Sequence, residues 1–182
     1  MKITTKQILK ILLVLSWIIF VGVCVEAGGC IFSAFYTLVI NPVNASFFWV
    51  GNDLSGLYKF DAGYFFAVTL LISIAEVMKA IMFYLIVIIL QEKKLNMSQP
   101  FSKEMRLFIL NLSYLTFGIG LFTEMGVKYT EWLVKNGIKM PDTQHLHLGG
   151  ADVWLFMSVT LFVIAQVFKR GIEIQEENEL TV

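Results

Sequence analysis

Four long stretches of this chain contain few polar residues. The polar residues between these stretches divide the hydrophobic positions into four blocks. The blocks run from Ile8 to Ile40, Ala62 to Leu90, Met105 to Lys128 and Ala151 to Phe168. About 20 helical residues cross a hydrocarbon core about 30 Å thick, so each block is long enough to span a membrane. The blocks lack the two-residue alternation of barrel strands, and backbone groups in lipid must bond to one another. The pattern therefore predicts an all-α integral membrane protein, a bundle of four transmembrane helices in a single domain covering residues 1–182.

Three of these blocks predict helices longer than a membrane needs. The first would extend about 50 Å at 1.5 Å per residue, and the third can continue through "VKYTEWLVKNG" to a stop at Asn136-Gly137. Either the first helix breaks at Gly28-Gly29, or the bundle protrudes beyond the outer face. Aromatic residues in "SFFWV" and at Trp132 favour protrusion with an outer cap, although ordinary interfacial anchoring also explains them.

Composition supports a membrane protein and argues against direct binding of nucleic acid. Of the 182 residues, 57% are apolar and 14% are aromatic, more than a soluble core of this size requires. Fourteen basic residues balance fourteen acidic ones, so the chain has no overall field that would attract nucleic acid directly. Any electrostatic partner must recognise local clusters of charge.

The basic residues predict the orientation in the membrane. Nine of them lie at the two ends and in the loop from Gln91 to Arg106, namely Lys2, Lys6, Lys10, Lys93, Lys94, Lys103, Arg106, Lys169 and Arg170, against four in the other two loops. By the positive-inside rule, the protein lies in the inner (plasma) membrane with both termini cytoplasmic. The stretch "EAGGC" loosely resembles a lipoprotein signal. However, Glu26 and the apolar run after Cys30 argue against cleavage and favour a retained first helix.

Five charged residues fall within the predicted spans. Counting about 20 residues outward from each cytoplasmic basic residue places all five in the outer half of the bilayer. They are Glu26, Glu76, Lys79, Glu124 and Asp152. Ionisable groups at this depth are costly and normally face the bundle interior or a water-filled cavity, so we expect the five to meet.

Three readings of this predicted cluster remain open, because four carboxylates face one ammonium. It is a salt-bridged polar seam that holds the helices in register, a pocket for a small cation or amine, or part of a proton path. Small residues beside the charges allow the helices to approach closely. They form one stripe with Gly22, Gly29 and Ser33 and another with Thr69, Ser73 and Ala80.

The sequence offers few other candidates for catalytic or metal-binding residues. Cys24 and Cys30 are six residues apart on one helix and point to different faces, so they are packing residues rather than a disulfide. His145 and His147 form an H-x-H in the last loop, but without an obvious third ligand the pair does not predict a metal site. The chain shows no phosphate loop, nucleophile elbow or metalloprotease helix. We therefore predict no enzyme activity, no cofactor and no metal.

The chain ends in "VFKRGIEIQEENELTV", and residues 171–182 form what we call the acidic tail. Apolar and acidic residues alternate in it: Ile172, Glu173, Ile174, Glu176, Glu177, Glu179, Leu180 and Val182. An anionic membrane surface repels such a segment, so the tail should project into the cytoplasm or dock on the basic inner loop. It is either a solvated end or a docking segment for a partner, with the apolar residues as anchors.

The tail, together with "NMSQPFS" before the third block, resembles an uncharacterised bacterial family of small four-helix membrane proteins. Members typically end in Gly-x-x-Leu-Gln-Glu-Glu-Asn-Asp-Leu-Thr-Val or Ile. This chain has Ile174 where leucine is usual and Glu179 where aspartate is usual, and both changes keep the chemistry. The specific motif covers about fifteen residues, while the topology covers nearly the whole chain.

The resemblance implies a partner, because members of the family are often encoded beside a very small repressor-like helix-turn-helix protein. An acidic tail suits a basic DNA-binding surface. We therefore expect a membrane sensor or anchor that binds a cytoplasmic helix-turn-helix regulator. The alternative is a small carrier or channel-like protein that binds a cation or amine at the intramembrane cluster. Whether the protein forms homo-oligomers is left open.

The predicted topology can be tested with reporter fusions. Reporters placed after Val182 and between Asn96 and Gln99 should report the cytoplasm, and reporters near Asn52 or Asp142 the outside, because the basic residues are retained on the inner side. A carboxyl end on the outside would contradict the argument for a cytoplasmic tail.

Overall fold

Four long helices dominate the computed structural model, which describes residues 4–91 and 101–179. The long helices are α1 (Thr5–Phe35), α3 (Ala62–Gln91), α4 (Lys103–Lys135) and α5 (Ala151–Glu179), and the short α2 (Ser55–Phe60) precedes α3. A π-helical segment, Tyr36–Ile40, extends α1, and two 3-10 segments follow it at Pro42–Phe47 and Trp49–Gly51. The described residues are 85% helix. No strand occurs in the described residues, which agrees with the all-α prediction.

Each long helix is long and apolar enough to cross a membrane, as predicted. Large apolar side chains remain uncovered along them, among them Ile18, Phe32, Phe156 and Val159. Leaving apolar surface in water costs about 25 cal/mol per Å², whereas lipid tails solvate it at no such cost. These features are those of a multi-pass membrane protein.

The long helices pack as a row in which α1 lies against α3, α3 against α4, and α4 against α5. Phe20 of α1 contacts Tyr84 near the end of α3, with ring centroids 5.8 Å apart. Lys103 at the start of α4 lies 2.9 Å from Glu176 near the end of α5. The start of α1 and the end of α5 therefore lie at the same end of the bundle, which we call the terminal end. The opposite end, formed by residues 36–61 and 136–150, is called the cap.

The cap has its own hydrophobic core. Its buried side chains come from the segment after α1, from α3, and from the end of α4 and the loop that follows: Phe48, Leu54, Leu57, Phe65, Leu133, Ile138, Leu146 and Leu148. Asn52 links the two halves of the cap, because its Nδ2 donates a hydrogen bond to the carbonyl oxygen of His145 at 3.1 Å. Irregular backbone such as that of residues 136–150 is not exposed to hydrocarbon, because its N–H and C=O groups would lack partners there. The cap thus supports the predicted protrusion, while the side of the membrane on which it lies stays a prediction.

Helix α1 passes through Gly28 and Gly29 without a break. The alternative of a broken first helix is therefore wrong, and the extra length of α1 reaches the cap instead. Gly29 is needed at this point because the ring of Trp49 lies where a Cβ would be. Gly28 faces open space.

Helix α4 ends at Asn136-Gly137, as predicted. Gly137 has a φ of 84°, and its N–H donates to the carbonyl oxygen of Val134 at 2.9 Å. The N–H of Ile138 reaches back to the carbonyl oxygen of Leu133 at 3.2 Å, which completes a Schellman motif. Ile138 and Leu133 are both buried, so the helix end also fixes the start of the loop in the cap core.

The contact between Gly29 and Trp49 generates a test of how the cap is attached. Gly29→Ala should lower the free energy of unfolding in detergent by about 1–3 kcal/mol, because the new methyl group overpacks against the indole ring. Gly28→Ala is the matched control, and it should leave stability unchanged or raise it slightly through better helix propensity. Equal melting temperatures for the two variants would contradict the close packing of Trp49 on α1.

Candidate functional site

Three of the five predicted intramembrane charges meet where the helices join the cap. Lys79 Nζ donates a hydrogen bond to Glu76 Oε1 at 2.7 Å, and the two residues are three apart on α3. The Glu76 side chain is 1% exposed and that of Lys79 is 16% exposed. Glu26 approaches from α1 and joins them through a fourth residue, His147. We call Glu26, Glu76, Lys79 and His147 the polar site.

His147 connects the two carboxylates. Its Nδ1 lies 3.4 Å from Glu26 Oε2 and 3.8 Å from Glu76 Oε1. Its carbonyl oxygen lies 3.4 Å from Lys79 Nζ, which donates to it. The histidine therefore contacts every other member of the polar site.

The loop before α5 holds His147 in an unusual backbone conformation. Its φ is 59°, in the left-handed region that few residues other than glycine adopt. Leu146 and Leu148 on either side are buried in the cap core. The N–H of Leu148 also donates to the carbonyl oxygen of Thr143 at 2.9 Å, closing the turn. Burial of the two leucines fixes the turn that brings His147 beside the carboxylates.

Sequence reasoning missed His147 as a member of this group. The signal was present in "HLHLGG", where a histidine stands between two leucines in a loop that follows a long helix. Two apolar residues flanking a polar one indicate a loop that packs into a core rather than one surrounded by water. Which helices that loop would contact does not follow from the pattern.

One oxygen of the polar site has no partner. Glu76 Oε2 is buried and accepts no hydrogen bond from any described residue. An unsatisfied buried carboxylate oxygen is costly, so it marks a place where a further donor or cation is favoured. An open cleft of about 450 Å³ borders the site, lined by Lys79, Gln144, His147, Gly149, Gly150 and Trp154.

The charge balance of the polar site differs from the predicted one. Two carboxylates and one ammonium leave a formal charge of −1 while His147 is neutral, and zero when it is protonated. The predicted imbalance of four carboxylates against one ammonium is thus reduced, because two of the carboxylates belong elsewhere. A single added positive charge balances the site.

The expectation that all five charges meet needs correction for Glu124 and Asp152. Glu124 lies 3.0 Å from Lys128 one turn later on α4, so its charge is compensated along its own helix. Asp152 is exposed in the first turn of α5, where a carboxylate is favoured by the helix dipole. Neither residue contributes to the contacts that define the polar site.

At the terminal end, the acidic tail continues α5 as helix through Glu179. Glu176 pairs with Lys103 at 2.9 Å, so the tail docks on the start of α4, one of the two arrangements predicted for it. Glu173 accepts a hydrogen bond from Arg170 at 3.0 Å, and Glu177 Oε1 lies 3.7 Å from the same guanidinium.

The apolar residues proposed as anchors divide into three groups. Ile172 is buried within the structure, so its side chain is not available to a partner. Ile174 is exposed. Leu180 and Val182 lie outside the described residues, as do Lys2, Lys93 and Lys94 of the predicted inner basic set.

The buried pair in the polar site generates a stability prediction. Lys79→Met should lower the free energy of unfolding in detergent by about 3–5 kcal/mol, because it leaves the buried Glu76 carboxylate without its counter-charge. Lys59→Met, which removes an exposed charge from α2, is the control and should have little effect.

The double variant Glu76→Gln/Lys79→Met distinguishes the loss of the ion pair from other effects of replacing Lys79. It should recover most of the lost stability, because neither charge is then left buried alone. Similar melting temperatures for Lys79→Met and Lys59→Met would contradict the burial of the pair.

Comparison of the chain with protein-family models finds no match, and comparisons with curated proteins and with solved structures find none either. Membership of the family that the tail resembles therefore stays a prediction.

Proposed function

We propose that this protein is a small inner-membrane sensor or anchor that holds a small cytoplasmic helix-turn-helix regulator through its acidic tail. The observation that carries the proposal is the continuity of α5. This helix begins four residues after His147 and runs through Glu179 in the tail. One rigid element thus connects the polar site with the acidic end. The resemblance of the tail to a family encoded beside helix-turn-helix proteins supports the choice of partner.

In this proposal, changes at the polar site reach α5 through the residues that join His147 to its first turn. Gly149 and Gly150 separate His147 from the first turn, and Gly150 has a φ of 76°, a conformation that suits a hinge. The N–H of Trp154 donates to the carbonyl oxygen of Gly150 at 3.1 Å, so the loop is bonded directly to the helix. A ligand that moves His147 would therefore shift α5 along α4, a shear of the kind that packed helices undergo.

The ion pairs of the tail are weak enough for a partner to replace. Lys103 and Glu176 are both largely exposed, and exposed pairs contribute about 0–1 kcal/mol each. A basic surface could therefore take over Glu176 at little cost. Arg170 stays close to Glu173 and Glu177 on the same helix, so part of the acidic charge is balanced before any partner arrives.

The burial of residues in the tail limits which apolar side chain a partner could contact. Because Ile172 is buried, Ile174 is the apolar residue of the described tail that remains open to a partner. It lies between Glu173 and Glu176, so an apolar contact there would be surrounded by acidic groups. Central apolar contacts with a charged rim are the usual arrangement for a docking surface.

A second candidate function is a small carrier or channel-like protein that binds a cation or amine at the polar site. The cleft of about 450 Å³ beside Lys79 and His147 favours it, because a small ligand could enter there. The two functions differ in which residues are essential. Transport would need Glu26 and Glu76 and leave the tail dispensable, whereas capture of a regulator would need the tail.

Capture can be tested by co-purification with the helix-turn-helix protein expected beside the gene. Replacing Glu173, Glu176, Glu177 and Glu179 by glutamine should weaken capture mainly through a slower association rate, because the acidic charges steer the basic partner. The loss should shrink as salt is raised, since exposed charges are screened within about 8 Å at physiological ionic strength. Truncation after Arg170 should abolish capture.

Two controls make this test specific. Neutralising Asp53, Glu131 and Asp142, acids at the cap end, should leave capture unchanged. Lys103→Gln should strengthen capture, because it frees Glu176 from its internal counter-charge. Capture by the truncated protein at the level of the full-length protein would exclude the tail as the docking segment and favour the carrier.

A further inference from the structure

We propose that the polar site binds a divalent transition metal of the Zn²⁺ class, with Glu26, Glu76 and His147 as ligands. The inference deepens the proposed function by naming the ligand of its input site, and it rests on that function for its biological role. Metal binding itself is measurable without the tail or a partner.

The distances between the ligand atoms fit one ion. One ligand atom from each of Glu26, Glu76 and His147 lies within 4.8 Å of the other two. Bonds of about 2.0–2.1 Å in tetrahedral geometry separate neighbouring ligands by about 3.3 Å. His147 Nδ1 and Glu26 Oε2 are already 3.4 Å apart, and His147 Nδ1 is 3.8 Å from Glu76 Oε1. Small side-chain adjustments would bring all three onto one centre.

The buried oxygen of Glu76 is the second and independent observation. The side chain is 1% exposed, Oε1 is taken by Lys79, and Oε2 has no hydrogen-bond partner among the described residues. A carboxylate oxygen in this position lacks the water that would otherwise solvate it. A metal ion bound by Oε2 while Lys79 keeps Oε1 would supply the missing interaction, and it requires the Glu76 carboxylate to turn, because Oε1 is now the oxygen 3.8 Å from His147 Nδ1.

Lys79 acts here as a positioning residue rather than a ligand. Its ammonium fixes Glu76 through Oε1 and also bonds the carbonyl oxygen of His147 at 3.4 Å, so it orients both residues. Partners that orient metal ligands in this way typically change metal affinity by about 10–100-fold when removed. With Lys79 in place, the two carboxylates and one ammonium have a formal charge of −1, so Zn²⁺ would bring the site to +1 and favour an anionic fourth ligand such as hydroxide.

The ligand set favours one class of metal over another. Imidazole nitrogen with carboxylate oxygen suits Zn²⁺ and related transition metals, whereas Mg²⁺ and Ca²⁺ prefer sites built from oxygen alone. Three protein ligands beside an open cleft also leave room for a fourth, exchangeable ligand such as water. Such a site is suited to reversible binding.

The test uses full-length protein in detergent, freed of metal with a chelator and titrated with ZnCl₂ by calorimetry and by thermal unfolding. One ion should bind per chain and raise the melting temperature. Glu26→Gln and His147→Asn should each weaken binding about tenfold or more. Asparagine is chosen because it tolerates the positive φ of His147, so the loop is kept.

His145→Asn is the matched control, since His145 is an exposed histidine of the same loop. It should bind Zn²⁺ as the unaltered protein does, and so should Glu124→Gln. Visible absorption of bound Co²⁺ should likewise be lost in His147→Asn and kept in His145→Asn.

Three results would overturn the metal site: no saturable binding, equal loss in His145→Asn and His147→Asn, or equal stabilisation by Mg²⁺. Truncation after Arg170 should leave Zn²⁺ affinity unchanged. A protein that binds Zn²⁺ but captures no regulator would therefore count against the proposed function alone. One that captures the regulator without binding Zn²⁺ would count against the metal alone.

Discussion

The buried carboxylate of Glu76 is the constraint on which the arrangement of the helices and cap depends. Removing a lone carboxylate from water costs several kcal/mol even after the protein relaxes, so the fold must surround it with compensating groups. Lys79 supplies the charge from the same helix at 2.7 Å from Oε1, and the last loop brings His147 Nδ1 to 3.8 Å from the same oxygen and to 3.4 Å from a second carboxylate, Glu26 of α1. Three separate parts of the chain thus converge on one group.

The cap makes that convergence stable. Lipid gives helices no hydrophobic reason to associate, so apolar packing alone would not hold a loop against α1 and α3. The cap core supplies the hydrophobic driving force where it is needed, through Leu146 and Leu148 on either side of His147. The strained backbone of His147 persists because its neighbours are fixed in this core.

The sequence predicted those features that depend on local pattern. The four spans, the end of α4 at Asn136-Gly137 and the pairing of Glu76 with Lys79 all follow from composition, a glycine signal or i,i+3 spacing. The predicted helix contacts were right only in part, since Gly29 and Ser33 of the small-residue stripe of α1 do pack against other groups. Gly22, expected on the buried stripe of α1, faces open space, while Ala27 and Cys30 are buried. The spacing of residues along a helix does not by itself decide which of two neighbouring stripes is buried, so the prediction can be wrong by one position. His147 was missed because its contact with Glu26 depends on how a loop folds over two helices.

The two charged regions of the molecule differ in how tightly their charges are held, and this difference suits them to different tasks. At the polar site, Glu76 is almost fully buried, so any change in its partners costs several kcal/mol. At the tail, Lys103 and Glu176 are largely exposed and contribute at most about 1 kcal/mol. Any coupling between the two regions would be reciprocal, because a change at the polar site and a change at the tail alter each other's free energy by the same amount. In the proposed function, the polar site would act on α5 through the loop that follows His147, and a ligand would shift that equilibrium only by its difference in affinity for the two states.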